Sequence, residues 1–444
     1  MSRVLLVSTN VTCDPYPVHP LGMAILAGAL AARGHEVAQF DVLAEARPEE
    51  AFAARIAAFQ PEVLGFSLRN LDSCDSLATT DYPSTARHLV AVARAHTRAP
   101  IVLGGPAFSI LPAELLAYTG ADCGVVGEGE VTGPLVVEAL AAGRPVPPIQ
   151  RGAVPEVLGA PAYDPAIARF YLERSGLLNV QTQRGCDQSC VYCNYADLEG
   201  TRIRRREPGA VADDLARARR DLGAEAFFLA DALFNGDPGY RELAEEILRR
   251  GLDVTWSCYM RPQGLRAEDL RLLKRAGLRA AELGTDAACD ATLRGLGKGF
   301  TFAEVVEANE AFVEARVPCA HFVMFGGPGE TAATVEEGLA NLERLRHTVV
   351  FAFSGIRILP GTPLLGLAQR QGLATPGAPL LEPLHYFAPG LDRQAMEARI
   401  AGVFKGRRDR VFPPSRGRER LEALRALGFK GLLWDTLVRF PVPA

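Results

Sequence analysis

Short apolar runs alternate with longer amphipathic stretches along most of this chain, in two series separated by a proline-rich interval. In the first series strands are expected at residues 4–8, 37–40, 63–68, 101–103 and 123–126, with helices at 21–33, 51–59 and 84–96 between them. Residues 143–165 then hold six prolines and few long apolar runs. From 177 a second series begins, with strands expected at 178–183, 226–230, 254–259, 280–284, 320–325 and 350–358 and helices such as 210–222, 240–250 and 267–276.

Strands that alternate with helices build parallel sheets, because each crossover between parallel neighbours takes a helix-length connection. The whole is therefore expected to be α/β. Residues 1–142 read as an N-terminal Rossmann-like, doubly wound parallel sheet, and 143–176 as a Pro-rich linker. Residues 177–365 read as a partial (β/α)6 barrel whose functional loops lie at the strand carboxyl ends. Residues 366–444 are less regular and read as a small, mainly helical C-terminal cap.

The loop after the first strand of the second series carries Cys186, Cys190 and Cys193, spaced Cys-x3-Cys-x2-Cys, with no fourth cysteine or histidine nearby. A structural zinc site takes four protein ligands, and an ordinary iron–sulfur cluster takes four thiolates. Three thiolates fit a four-iron cluster with one iron left for a ligand from outside the chain. The competing readings are a zinc site completed from afar by Cys258 or His321, or small buried residues without a metal role. The other six of the nine cysteines are scattered singly, which argues for a reducing compartment without a disulfide framework. Residues 1–7 run straight into a strand without the apolar core of a signal peptide, so a cytoplasmic location is expected. No apolar run reaches the roughly 20 residues of a membrane span. The net charge of −4 gives no reason to expect nucleic acid or an anionic membrane as partner.

The cysteine spacing, with Tyr192 before the last cysteine, resembles the radical SAM family. The resemblance covers about 178–365 and implies a 4Fe-4S cluster on Cys186, Cys190 and Cys193, with S-adenosylmethionine chelating the open iron and Tyr192 beside the adenine. It assigns Glu282, in Glu282-Leu283-Gly284-Thr285-Asp286, to the ribose or amino group of S-adenosylmethionine. Gly327 and Glu330 of Gly326-Gly327-Pro328-Gly329-Glu330-Thr331, and Arg357 ahead of Leu359-Pro360-Gly361-Thr362-Pro363, match further cofactor-binding segments. Glu330 either meets a ribose or caps the following helix. Leu293-Arg294-Gly295-Leu296-Gly297-Lys298-Gly299 resembles a segment of relatives with an N-terminal cobalamin domain. Where many members have Gly-Gly-Glu, this chain has Leu229-Ala230-Asp231, so Asp231 takes the contact to the amino group or faces substrate.

No Gly-x-Gly-x-x-Gly follows the first strand, which weighs against a dinucleotide. The first series instead resembles the cobalamin-binding domain fused ahead of many radical SAM domains. The expected cobalamin contacts are Thr9, Asn10, Ser67, Leu68, Arg69, Asn70, Gly104, Gly105, Pro106, Phe108, Gly127, Glu128 and Gly129, at or just beyond strand ends. The Asp-x-His-x-x-Gly pattern of some cobalamin proteins is broken at His19-Pro20-Leu21-Gly22, so His19 is weighed as a cobalt ligand against a loop residue. Arg69 is weighed between a place beneath the cobalt and pairing with Asp72 or corrin amides.

The resemblance implies a cobalamin-dependent radical SAM methyltransferase that moves a methyl group from methylcobalamin to a carbon, or other unactivated centre, of a small-molecule or peptide natural product. An external one-electron reductant such as flavodoxin or ferredoxin is implied as partner. Asp231, Tyr259, Arg261 and His321 are the expected catalytic, substrate-facing residues. The alternatives are cyclisation, ring contraction or rearrangement with the same cofactors, and a corrinoid or iron–sulfur carrier or sensor. A methylthiotransferase acting on RNA would need clustered N-terminal cysteines, whereas Cys13, Cys74 and Cys123 lie far apart. Arg202, Arg204, Arg205 and Arg206 read as an anion contact or as a solvated face.

Overall fold

In a computed structural model that describes residues 1–13 and 15–441, the chain divides into two compact units. The first comprises residues 1–73 and 80–173, the second residues 74–79 and 174–444.

The first unit is a six-stranded sheet of β1 (Arg3–Ser8), β2 (Glu36–Asp41), β3 (Val63–Ser67), β4 (Ile101–Gly104), β5 (Cys123–Val126) and β6 (Ile149–Arg151). Its order is β2-β1-β3-β4-β5-β6 and every pairing is parallel. Val4, Leu5 and Val7 of β1 are fully buried, as a central strand covered on both faces requires. Helices Leu21–Ala32, Pro48–Phe59, Pro83–His96, Pro112–Thr119 and Thr132–Ala141 make the crossovers. Three of them start on proline, whose missing N–H costs nothing in a first turn. The stretch expected to be a linker contributes β6 and the helix Pro165–Arg174. Gly152 N–H continues the β6 ladder onto Val126 O at 2.7 Å. Because β1 pairs with β2 on one side and β3 on the other, the chain changes direction between β1 and β3. The carboxyl ends of those two strands therefore border the crevice where such sheets hold ligands.

The second unit begins with β7 (Leu177–Val180), then the short antiparallel pair β8 (Gln183–Arg184) and β9 (Arg204–Arg205). Next come β10 (Ala226–Leu229), β11 (Thr255–Met260), β12 (Leu278–Asp286), β13 (Cys319–Phe325) and β14 (Val349–Ser354). A second short pair, β15 (Ile356–Arg357) with β16 (His385–Tyr386), precedes β17 (Arg410–Val411). Strands β7-β10-β11-β12-β13-β14-β17 form one parallel sheet, the open barrel, with amphipathic helices between its strands. The expected cap supplies helices Arg393–Phe404 and Arg418–Ala426, and also the seventh strand.

The C-terminal segment closes the amino end of this barrel. Gly431 N–H bonds Ser175 O at 2.7 Å just before β7, and Asp435 pairs with Arg279 at the start of β12 at 2.7 Å. Arg439 O bonds His347 just before β14 at 2.5 Å, and Trp434 is 3% exposed. No helix among the described residues is long and apolar enough to cross a membrane.

Candidate active site

At the switch point of the first unit, polar groups and glycines replace bulky side chains. Thr9 follows β1 and donates from both its N–H (3.3 Å) and its hydroxyl (3.2 Å) to Ser67 O at the end of β3. Leu68 N–H bonds Gly104 O at 2.9 Å, and Ala107 N–H returns to Leu68 O at 3.1 Å. Gly105, at φ +94°, must be glycine: a Cβ there would stand 2.5 Å from Leu68 O. Gly127 N–H bonds Ser109 Oγ at 2.8 Å, and Gly129 O accepts from Gly133 N–H at 2.7 Å. Arg69 and Asn70 are half-buried just beyond β3, and Pro106 is exposed.

Three expected contacts differ in character. Leu68 is buried and acts through its backbone, Phe108 is fully buried against Gly124 of β5, and Glu128 is buried with its carbonyl against Gly152. Phe108 is therefore core. His19 is 1% exposed, with its ring edge-on to Tyr163 (5.1 Å) and Tyr171 (5.3 Å). Burial lowers its pKa to about 3 and keeps it neutral. A buried network that sequence reasoning missed joins β2 to this crevice. Tyr171 donates to Asp41 Oδ2 at 2.6 Å, and Asn10 and Arg69 also act on that tyrosine. Burial raises Asp41 to about 6 against the opposing bonds from Tyr171 and Ser8. The half-buried polar rim and close-approach glycines fit a corrin ring and its amides.

In the second unit the cysteines lie between β8 and β9. Gly185, at φ +96°, starts the loop, and a Cβ there would lie 2.2 Å from Arg202 O. The loop is tied down from four sides. Asp231, just after β10, accepts from Thr182 N–H (2.7 Å), Gln183 N–H (3.1 Å) and Thr182 Oγ1 (2.5 Å). Arg261, after β11, forks onto both oxygens of Asp187 at 3.1 and 3.0 Å. Val191 N–H bonds Leu296 O at 3.0 Å, and Leu364 N–H bonds Val191 O at 2.9 Å. Lys298 Nζ donates to Cys190 Sγ at 3.2 Å and pairs with Asp286, which accepts from Tyr192 OH at 2.7 Å.

All three cysteines are half-buried. Among the described residues no three His, Cys, Asp or Glu side chains converge on a single ion. The expected distal zinc ligands do not join the loop: Cys258 is fully buried, and both ring nitrogens of His321 are engaged elsewhere. A pocket of about 470 Å³ beside the loop is lined by Asp187, Gln188, Arg261, Gln263 and the glycines 297 and 299.

The remaining expected residues fall into two groups. Register pairs Tyr259 with Glu282 and Glu282 with Ala320, placing all three on the inner barrel face. Tyr259 is 41% exposed there, edge-on to Phe228 at 4.9 Å. Phe322 stacks on Phe351 at 5.1 Å, also on the inner face. Glu282 is 4% exposed and accepts from Trp434 Nε1 at 3.0 Å, with burial raising its pKa to about 7.

His321 pairs with Leu283, so it points the other way, toward the helices. Its ring bonds Thr285 Oγ1 (2.8 Å) and Asn309 Oδ1 (3.2 Å). This corrects the expectation of a substrate-facing role for His321: strand parity turns it outward. Asp231 likewise spends its oxygens on the root of the cysteine loop. Glu330 accepts from Gly326 N–H (3.2 Å) and Thr334 Oγ1 (2.8 Å), closing its own turn. Gly327 lies against Ile356 and Leu296, where a Cβ would stand 3.0 Å from Ile356 Cδ1. Arg357 donates to Ile358 O (2.7 Å) and Leu380 O (2.6 Å), fastening β15 to the segment before β16. Of the arginine run, Arg206 pairs with Asp214 at 2.6 Å, Arg205 with Asp237 at 3.2 Å and Arg204 donates to Glu199 O at 2.9 Å, whereas Arg202 is exposed. Sequence reasoning missed Lys298 and Asp286 as partners, although both lie in segments singled out by resemblance.

Residues 7–137 match the B12 binding domain, and residues 180–341 match the radical SAM superfamily. The chain is 25% identical over 438 residues to tryptophan 2-C-methyltransferase of Streptomyces laurentii, covering 80% of this chain and 72% of that one. It is 23% identical over 504 residues to cytidylyl-2-hydroxyethylphosphonate methyltransferase of Streptomyces wedmorensis, covering 93% and 92%. Its fold is shared with the radical S-adenosylmethionine methyltransferase TsrM of Kitasatospora setae, solved with tryptophan and an aza analogue of S-adenosylmethionine. That likeness has a TM-score of 0.87 at 24% identity and covers 98% of this chain and 97% of that one.

Proposed function

We propose that this chain, which belongs to the radical SAM superfamily and carries a B12-binding domain ahead of its radical SAM domain, is a cobalamin-dependent methyltransferase. Its substrate is a small molecule or peptide, methylated at a carbon or other unactivated centre, and an external one-electron reductant such as flavodoxin or ferredoxin serves it. The observation that carries this reading is the cysteine loop at the carboxyl end of the first barrel strands, in one chain with a switch-point crevice of polar and glycine residues. Methyl transfer, rather than rearrangement, is supported by the activities named for the Streptomyces relatives.

When bound, the 4Fe-4S cluster and S-adenosylmethionine supply one-electron chemistry and the methyl group, and cobalamin supplies its carrier. The protein's part is holding and orienting. Cys186, Cys190 and Cys193 hold the cluster, while Asp231 and the Arg261–Asp187 pair keep their loop in place. Thr9, Ser67, Arg69, Asn70 and the backbone at 104–105 and 127–129 meet the corrin. On the inner barrel face, Glu282 titrates near neutrality, so it can take or give a proton without leaving its bond to Trp434. Tyr259, Phe228, Phe322 and Phe351 give that face an apolar wall that excludes water and suits a planar or apolar substrate group.

The test is anaerobic incubation of the cluster- and cobalamin-loaded protein with methyl-deuterated S-adenosylmethionine, a reductant and candidate aromatic and peptide substrates. A product carrying the intact labelled methyl is expected. A product of unchanged mass would replace methyl transfer with rearrangement, and no product across the panel together with no demethylated cosubstrate would point to a carrier.

A further inference from the structure

Lys298 brings a cation onto a cysteine of the loop: its Nζ lies 3.2 Å from Cys190 Sγ. It is held there by several independent features. Asp286 pairs with the ammonium, and the two side chains are 7% and 12% exposed. Asp286 is itself bonded by Tyr192 OH, so the contacts run from Cys190 through Lys298 and Asp286 back to a residue of the same loop. Asp286 adopts φ +62°, a left-handed conformation that costs a non-glycine residue free energy. Gly297, at φ +73°, brings the backbone before Lys298 against the loop, where a Cβ would lie 2.8 Å from Ser189 O. Beyond tying the loop down, this arrangement sets a buried charge pair against a cysteine that would hold the cluster.

We infer that Lys298 and Asp286 are positioning residues of opposite sign that together set the reduction potential of the cluster on Cys186, Cys190 and Cys193. The inference rests on the proposed function, in which those cysteines carry that cluster. Reduction adds one electron and makes the cluster more negative, so a cation hydrogen-bonded to a ligand sulfur favours the reduced form. Burial keeps the charges from being screened by solvent. Asp286, paired with the ammonium, cancels part of its field at Cys190.

The two charges therefore make opposite predictions. The wild type, K298M, K298R and D286N are reconstituted with iron and sulfide, and iron content and the midpoint potential are measured by a redox titration followed by electron paramagnetic resonance, without cobalamin or S-adenosylmethionine. K298M is expected to be at least tenfold harder to reduce, a midpoint about 59 mV more negative for one electron. K298R keeps the charge and stays near the wild type. D286N, whose asparagine tolerates φ +62° and still accepts from Tyr192, shifts to a less negative potential. A merely structural pair would not produce shifts of opposite sign. An unshifted K298M, or shifts of both variants in one direction, overturns the inference. If K298M retains no iron, D286N decides alone: a less negative midpoint supports the inference, and an unchanged or more negative one overturns it. A wild type that holds no iron would overturn the proposed function instead.

Discussion

Replacing Asp231 separates an anchoring carboxylate from a catalytic one. Asp231 is 2% exposed and accepts from two backbone amides and one hydroxyl of the Thr182–Gln183 step immediately ahead of the cysteine loop. In D231A the hydroxyl can turn elsewhere, but the two buried amides lose their acceptor. Each such loss costs about 1–3 kcal/mol, so a total of about 4 kcal/mol is expected. For a domain of this size that lowers the melting temperature by roughly 8 °C or more. D231N keeps a carbonyl oxygen for both amides, and its NH2 can donate to the Thr182 hydroxyl. It also removes a carboxylate whose pKa burial has raised to about 6. Its stability is therefore expected within about 1 kcal/mol of the wild type. The assays are thermal unfolding of the apo chain under argon and iron content after reconstitution. D231A should fail both and D231N neither. If D231N melts as early as D231A, the hydrogen-bond account is wrong. If D231N is stable and fully iron-loaded but inactive, the charge itself takes part in catalysis, and anchoring is not its main role.

Glu282 and Gly105 carry two further predictions. In the folded chain Glu282 holds its proton up to about 7, against an ordinary 4.5, so the folded state binds that proton more tightly than the unfolded one. Its contribution is fully present below pH 4.5 and is lost as pH rises through 7, at a cost of about 3 kcal/mol. E282Q keeps an acceptor for Trp434 and removes this loss. Its stability relative to the wild type should rise between pH 4.5 and 7 and level off above, and a difference that is flat with pH would refute the buried-carboxyl account. G105A sets a Cβ 2.5 Å from Leu68 O at φ +94°, which forces apart the loops after β3 and β4. Retention of cobalamin through gel filtration should fall at least tenfold while iron content is unchanged; undiminished retention would remove these loops from the corrin site.

Most of the architecture was legible because apolar runs mark parallel strands. The strand Cys123–Val126 and the helix Tyr240–Arg250 follow from the pattern to the residue. Strand β6 was hidden: Ile149–Arg151 is short, exposed and surrounded by prolines, so no apolar signal marks it. Strand β17 is a two-residue edge that owes its existence to β14. The cluster cysteines were legible because their spacing is local. Their supporting residues were not, since Lys298 meets Cys190 across 108 positions and Trp434 meets Glu282 across 152. His321 was misplaced for a different reason. The strand was evident, but which face a residue takes depends on register with β12, and a shift of one residue reverses it.

The central claim is that one chain holds an iron–sulfur cluster on three cysteines and a corrinoid on its first unit. The most direct measurement is iron and cobalt content per chain after anaerobic reconstitution with iron, sulfide and cobalamin and removal of unbound cofactor. The wild type should retain about four irons and one cobalt per chain, and the triple variant C186A/C190A/C193A should lose the iron and keep the cobalt. Iron that survives in the triple variant, or a wild type that retains no cobalt, would contradict the account.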